Sequence, residues 1–229
     1  MFVLQSFDSR SRAAQVLAND IASSLRDALE ARGRATLVVS GGSSPLEMFS
    51  LLGEVDLNWA RVVILPSDER WVDQEDPASN AGMLMRTLMA GRASAARLLS
   101  LYDESLAEHD IATALSSRLS ELALPLDVVL LGMGGDGHTA SLFPDDPDIA
   151  GALASTDHCV TARPPSQPLL RVSLTPNTLL NARQIKLLFF GQEKADVFSE
   201  AAEHGDLTEY PVRCVLRQER VPVTTYFAQ

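Results

Sequence analysis

Residues 127–144 read Asp-Val-Val-Leu-Leu-Gly-Met-Gly-Gly-Asp-Gly-His-Thr-Ala-Ser-Leu-Phe-Pro, and this stretch holds the densest chemistry in the chain. Four apolar residues, 128–131, have the length of a buried strand. Gly132, Gly134 and Gly135 then loosen the backbone, and Asp136 and His138 follow at once. An imidazole with its ordinary pKa of about 6.5 can take a proton near neutral pH. A carboxylate two residues earlier can orient that ring or favour its protonated form. In open α/β folds, ligands sit at the carboxyl ends of strands, where such turns lie. A histidine merely satisfied at a helix start is the plainer reading, but glycine flanks give little packing reason for it. His109 and His204 lie in polar helical contexts and read as surface residues; His158, near a strand start, reads as structural.

Three further turns could bring partners to His138. Ser40, Gly41, Gly42, Ser43 and Ser44 follow a short β-branched run and precede Pro45 and an apolar helix. Glycine lets backbone N–H groups approach an anion, and a helix start adds positive potential. An ordinary turn between a strand and a helix also needs small residues, and no GxxxxGK[ST] phosphate loop is present. Asp68, Glu69 and Arg70 end another strand. A guanidinium matches a carboxylate, phosphate or oxyanion as a planar fork, and the two acids could hold it in place. Arg163, Arg171 and Lys194 form a late set of cations, each by itself readable as a surface charge.

The elements that must position these residues alternate. The patterning predicts strands over 2–5, 36–39, 62–65, 97–101, 128–131, 184–190 and 223–227, and a half-buried strand over 169–174. It predicts helices over 9–32, 46–52, 81–89, 105–122 and from 192 to about 202. The first helix shows apolar residues at three- and four-residue steps and is stopped by Gly33. Pro45 suits a first helical position, Ser79 and Asn80 a cap, and Thr175-Pro176-Asn177 a short helix start. Strands alternating with helices, without repeat or linker, imply one three-layer α/β domain over residues 1–229 with a mainly parallel central sheet.

The bulk numbers narrow the class. The 229 residues are 46% hydrophobic, enough for a substantial core, and the formal charge is −11. That balance disfavours nucleic acid as a partner and leaves room for an anionic small ligand held by local cations. The N-terminus lacks a signal peptide's basic start and apolar core, and no apolar run approaches a membrane span of about 20 residues. Cys159 and Cys214 are expected as free thiols in a cytoplasmic protein. No CxxC or HExxH spacing supports zinc.

Taken together, the motifs resemble those of the 6-phosphogluconolactonases within the glucosamine-6-phosphate isomerase/6-phosphogluconolactonase family. The resemblance rests on Ser40-Gly41-Gly42-Ser43, Ser67-Asp68-Glu69-Arg70-Trp71-Val72, Ser79-Asn80 and the block from Gly132 to Pro144, with later support from Arg171-Val172-Ser173-Leu174-Thr175 and Gly191-Gln192-Glu193-Lys194. It implies a modified Rossmann-like fold and hydrolysis of 6-phospho-D-glucono-1,5-lactone to 6-phosphogluconate in the oxidative pentose phosphate pathway, with no metal or organic cofactor. It implies catalytic roles for His138, Asp136 and Arg70. Ser40, Gly41, Gly42, Ser43, Asp68, Arg163, Arg171 and Lys194 are expected to bind substrate, and the chain to act as a monomer. The related glucosamine-6-phosphate deaminases typically carry tyrosine at the position of Arg70. A non-catalytic sugar-phosphate sensor is the third reading, although no helix-turn-helix segment precedes residue 36. Two departures bear on loop shape and on packing of the last strand: Asp145 stands where glycine is common, and Thr224-Thr225-Tyr226-Phe227 lacks the usual Trp and Asp.

Overall fold

A computed structural model describes residues 2–229. Among the described residues ten strands form two sheets: β1 (Phe2–Phe7), β2 (Ala35–Val39), β3 (Val62–Pro66), β4 (Asp68–Arg70), β5 (Arg97–Leu98), β6 (Val128–Gly132), β7 (Cys159–Ala162), β8 (Arg171–Leu174), β9 (Ile185–Phe190) and β10 (Val223–Ala228). The large sheet has seven strands in the order β1-β10-β9-β6-β2-β3-β5, all parallel. A smaller antiparallel sheet has the order β4-β8-β7. The expected three-layer arrangement with a parallel central sheet is found. The small sheet was not anticipated, because three-residue strands such as β4 carry no readable period.

Eight helices complete the fold: α1 (Arg10–Arg32), α2 (Leu46–Gly53), α3 (Asn80–Arg86), α4 (Ile111–Leu119), α5 (Ile149–Ala154), α6 (Pro176–Leu179), α7 (Gln192–Ala202) and α8 (Arg213–Leu216). Ser9 caps α1 by accepting from the Arg12 N–H, and Gly33 closes it in the left-handed region. Strand alternation divides the core in two. Leu37, Val39, Val128 and Leu130 face α1 and α2 on one side of the sheet. Val38, Val129, Leu131 and Ile185 face α4, α7, α8 and the small sheet on the other.

Several local expectations are corrected. The helix expected over 105–122 is only α4 with a 3-10 turn before it, because Asp103 instead accepts from both the N–H and hydroxyl of Ser105 and holds a turn. The helix expected over 81–89 ends at Arg86 and continues as a separate 3-10 turn. Pro45 sits at the cap of α2, one residue outside the helix. The strand expected to be half-buried, β8, is buried at every residue, since Val172 and Leu174 pack into the core on one face and the 139–143 turn covers the other, with the Ser141 N–H donating to Ser173 and the Phe143 ring beside Arg171. Asp145, the departure noted above, accepts from the Ser166 N–H and hydroxyl and ties two loops together. The last strand pairs over its whole length with both neighbours.

The order of strands sets where a ligand can go. From β2 the chain moves outward to β3 and β5, then returns to place β6 on the other side of β2. The loops leaving β2 and β6 therefore diverge and open a crevice between them. At the amino ends of the same strands, Asp127 closes the gap. Its carboxylate accepts from the Thr36 N–H at 2.8 Å and the Arg32 guanidinium at 2.6 Å, and its own N–H donates to the Thr36 hydroxyl at 2.8 Å. Replacing Asp127 with Ala leaves the buried Thr36 N–H and the Arg32 guanidinium without their acceptor. The expected loss is about 2–4 kcal/mol of stability, read as a lower urea midpoint at unchanged slope.

Candidate active site

The crevice contains a cavity of about 300 Å³, lined among others by Ser40, Gly42, Arg70, His138, Arg171 and Lys194. Its wall at β6 is the glycine-rich turn. The Gly134 N–H donates to the His138 carbonyl, the Gly137 N–H donates to the Gly134 carbonyl, and the His138 N–H donates to Asp136 Oδ1. Those bonds fold the turn so that His138 Nδ1 lies 2.6 Å from the same carboxylate oxygen. A side chain at Gly134 would run into the His138 ring and the Asp136 carboxylate, so glycine is what permits the pair. The carboxylate fixes the proton on Nδ1 and leaves Nε2 as the basic nitrogen. Burial alone pushes the Asp136 carboxyl up. The hydrogen bond from His138 and its charge outweigh that, and Asp136 is held below the usual carboxylate range.

Phe143 supports this arrangement from behind. Its ring stacks on His138 with centroids 4.1 Å apart, and the Arg171 guanidinium lies 5.2 Å from the same ring. Between them the chain reverses through Ala140, a non-glycine residue with φ of 50°. Such a conformation costs of order 1–2 kcal/mol. Thr139 and Ser141 hold it: Thr139 Oγ1 donates to the Gly132 carbonyl and Ser141 Oγ donates to Asp68 Oδ2.

The opposite wall is β4 and β8. Arg70 and Arg171 are direct cross-strand partners, so two cations face one another across one ladder position. Like charges so placed repel. Burial lowers the Arg171 pKa, and the Arg70 charge lowers it further. Arg171 donates to Gln167 Oε1 at 3.0 Å, and Arg70 donates to the Ala78 carbonyl at 2.6 Å. The Nε atoms of both are buried without a partner among the described residues. Glu69 does not pair with the Arg70 guanidinium as expected. Its fully buried carboxylate accepts the N–H groups of Arg70, Asn80 and Ala81 instead. Burial pushes the Glu69 carboxyl up, while those three N–H groups pull against the rise.

The third wall is the turn after β2. Ser40 extends the ladder by donating its N–H to the Leu130 carbonyl, after which residues 41–45 lead into the start of α2. Asn80 packs directly under Gly41, where a Cβ would collide with its carboxamide, and donates to the Asp68 carbonyl at 2.7 Å. Lys194, in the first turn of α7, donates to the Met133 carbonyl at 2.7 Å; burial lowers its pKa, and the nearby Asp136 and Glu193 raise it. The described residues contain no group of three His, Cys, Asp or Glu side chains placed to hold a metal ion.

The glucosamine-6-phosphate isomerases/6-phosphogluconolactonase family matches residues 8–224. The chain belongs to this family. It is 40% identical over 227 residues to a 6-phosphogluconolactonase of Pseudomonas aeruginosa, covering 98% of this chain and 94% of that protein. It is 43% identical over 212 residues to a 6-phosphogluconolactonase of Pseudomonas putida, covering 91% and 86%. A crystal structure of a 6-phosphogluconolactonase from Shewanella baltica superposes with a TM-score of 0.97 at 40% identity, covering 100% of this chain and 98% of that one.

Against this family background, the structure sorts the residues expected from sequence. It brings Ser40, Gly41, Gly42, Ser43, Asp68, Arg70, His138, Arg171 and Lys194 to one cleft, with Asp136 behind His138. Arg163 does not join them. Its guanidinium pairs with Glu108 at an exposed position, because its N–H is fixed by Asp146 in a separate loop. Asp68 lines the cleft, but both carboxylate oxygens already accept hydroxyls, from Ser67 and Ser141. Asn80, Phe143 and Gln167 were not foreseen as lining residues. Asn80 and Phe143 stand inside the recognised motifs; Gln167 had no sequence signal at all.

Since the folded-state pKa of Asp136 is depressed, its pairing adds stability above the unfolded value near 3.8, and that stability is lost as pH falls through the lower folded pKa. In His138→Ala the partner is gone, and the Asp136 carboxyl is expected to titrate at higher pH. Carbon-detected NMR titration of the two proteins checks this; identical midpoints would mean that the pair is not electrostatically coupled.

Proposed function

We propose that this chain hydrolyses 6-phospho-D-glucono-1,5-lactone to 6-phosphogluconate, with residues 1–229 acting as one monomeric catalytic domain in the cytoplasm. The observation that carries the reading is the His138–Asp136 pair standing in the same cleft as the opposed Arg70 and Arg171. Family membership and the full-length relatives named above support it. Among the described residues no helix is long and apolar enough to cross a membrane.

A δ-lactone is an activated ester, and water can open it directly. Asp136 holds the proton on Nδ1, and Nε2 of His138 takes a proton from water as the water oxygen bonds to C1. Negative charge grows on the carbonyl oxygen, where Arg70 stabilises it. As the tetrahedral centre collapses, the bond from C1 to the ring oxygen breaks and His138 returns its proton to that oxygen. No group is left on the protein. The phosphate lies against residues 40–44 and the start of α2, with Arg171 and Lys194 supplying positive charge. A substrate with a permanent dianion at one end and a developing charge at the other offsets the repulsion between Arg70 and Arg171. Binding energy from the non-reacting phosphate fixes the lactone over Nε2.

His138→Ala is expected to keep its fold and lose about 10²- to 10⁴-fold in kcat, the usual worth of a general base. The assay is acid release from freshly prepared lactone above its spontaneous rate. Near-normal turnover would remove His138 from the base role, and ammonia release from glucosamine 6-phosphate by the wild type would indicate the deaminase reaction instead. Arg70→Lys keeps charge but loses the planar fork, with an expected loss of about 10²-fold in kcat/KM. Comparing the phosphorylated lactone with D-glucono-1,5-lactone separates the cations. The loss at Arg70 should persist on both substrates, and the losses at Arg171 and Lys194 should shrink on the unphosphorylated one.

A further inference from the structure

A second cavity, of about 320 Å³, lies away from the cleft, between α1 and the amino-terminal half of β9 and β10. Gln5, Asp20, Ser23, Lys186, Thr224 and Tyr226 line it, beside Ser24, whose hydroxyl donates to the Asp20 carbonyl. Lys186 is the anomaly. β9 reads Ile-Lys-Leu-Leu-Phe-Phe and runs between β10 and β6, an interior position where strands are apolar on both faces. Only 8% of Lys186 is exposed. Its ammonium makes no hydrogen bond or ion pair with any described residue, and its recorded contact is the Tyr226 ring at 5.8 Å. The stem is buried while Nζ opens into the cavity, so its three donors face whatever occupies that space.

The neighbouring acid does not supply one. Asp20 accepts the Tyr226 hydroxyl through Oδ2 and forms no ion pair with Lys186. Burial lowers the Lys186 pKa, and the charge of Asp20 only partly opposes that. The side chains of Gln5, Ser23 and Thr224 also make no hydrogen bond among the described residues. The cavity therefore presents one cation beside free hydroxyl and amide groups, with a carboxylate oxygen of Asp20 still able to accept. A bare anion satisfies Lys186 but is repelled by Asp20; a neutral polyol satisfies Asp20 but not Lys186.

We infer that this cavity is a second ligand site for a small hydroxylated anion, which sets its carboxylate or phosphate on Lys186 Nζ and its hydroxyls on Asp20, Ser23 and Thr224. This reading is independent of the lactone reaction, because none of these residues lines the catalytic cleft.

The test is a titration of the full chain followed by ¹⁵N–¹H spectra, with D-gluconate as the carboxylate probe, glucose 6-phosphate as the phosphate probe and D-glucose as the neutral control. Saturable shifts are expected at the amides of Ser23, Lys186 and Thr224 with at least one of the two anions, and the stronger of them names the anion. Lys186→Met should weaken those shifts about tenfold or more, while shifts at Gly42 and His138 and the rate of lactone hydrolysis stay as in the wild type. Thr224→Val, a milder change, should weaken binding severalfold and serves if Lys186→Met fails to fold. Absence of saturable shifts at these amides, equal shifts with D-glucose, or full binding by a folded Lys186→Met would each overturn the assignment.

Discussion

The cleft depends on one buried carboxylate. Glu69 has no exposed surface, and its two oxygens accept the N–H groups of Arg70, Asn80 and Ala81, with the Ser79 hydroxyl at 3.3 Å. It therefore does two things at once. It satisfies N–H groups at the start of α3, which have no partner inside the helix, and it fixes the backbone of β4 from which Arg70 projects. Asn80, held by the same carboxylate, underlies Gly41 and donates to Asp68, so the turn after β2 rests on it. One acid thus sets the relative positions of two of the three walls.

The third wall is built by a different means. The turn after β6 carries its own hydrogen bonds, and its glycine at 134 allows His138 to fold back onto Asp136. The two constructions meet at Ser141, whose hydroxyl donates to Asp68, and at Phe143, whose ring meets both His138 and Arg171. The chain as a whole carries −11, yet Arg70, Arg171 and Lys194 converge on this cleft. Net charge describes solubility and long-range behaviour; the ligand meets the local cations.

What could be read in the sequence follows from how local its cause is. The bounds of α1 were legible because Ser9 and Gly33 cap it through neighbouring backbone. The mainly parallel sheet followed from alternating periods; the order of its strands, which opens the crevice between β2 and β6, did not. The His138–Asp136 pair was legible because two residues in one turn make it. Non-local causes were hidden. Nothing near Glu69 announces that its acceptors serve residues ten to twelve positions away. β4 is too short to show a period, so the facing of Arg70 by Arg171 could not be seen. Arg163 looked equivalent to Arg171 in the sequence, and only the anchoring of its loop by Asp146 turns it toward Glu108.

The facing arginines also bear on the chain before any reaction begins. A ladder position occupied by two cations is under electrostatic tension in the free protein. An anion that binds only the folded form relieves this and adds stability by mass action, about 2.7 kcal/mol at a hundredfold excess over its dissociation constant. Folding and occupancy are then linked quantities. For an anion held there, the melting temperature rises with that anion's concentration in the buffer, and the small unfolded fraction falls as the anion accumulates.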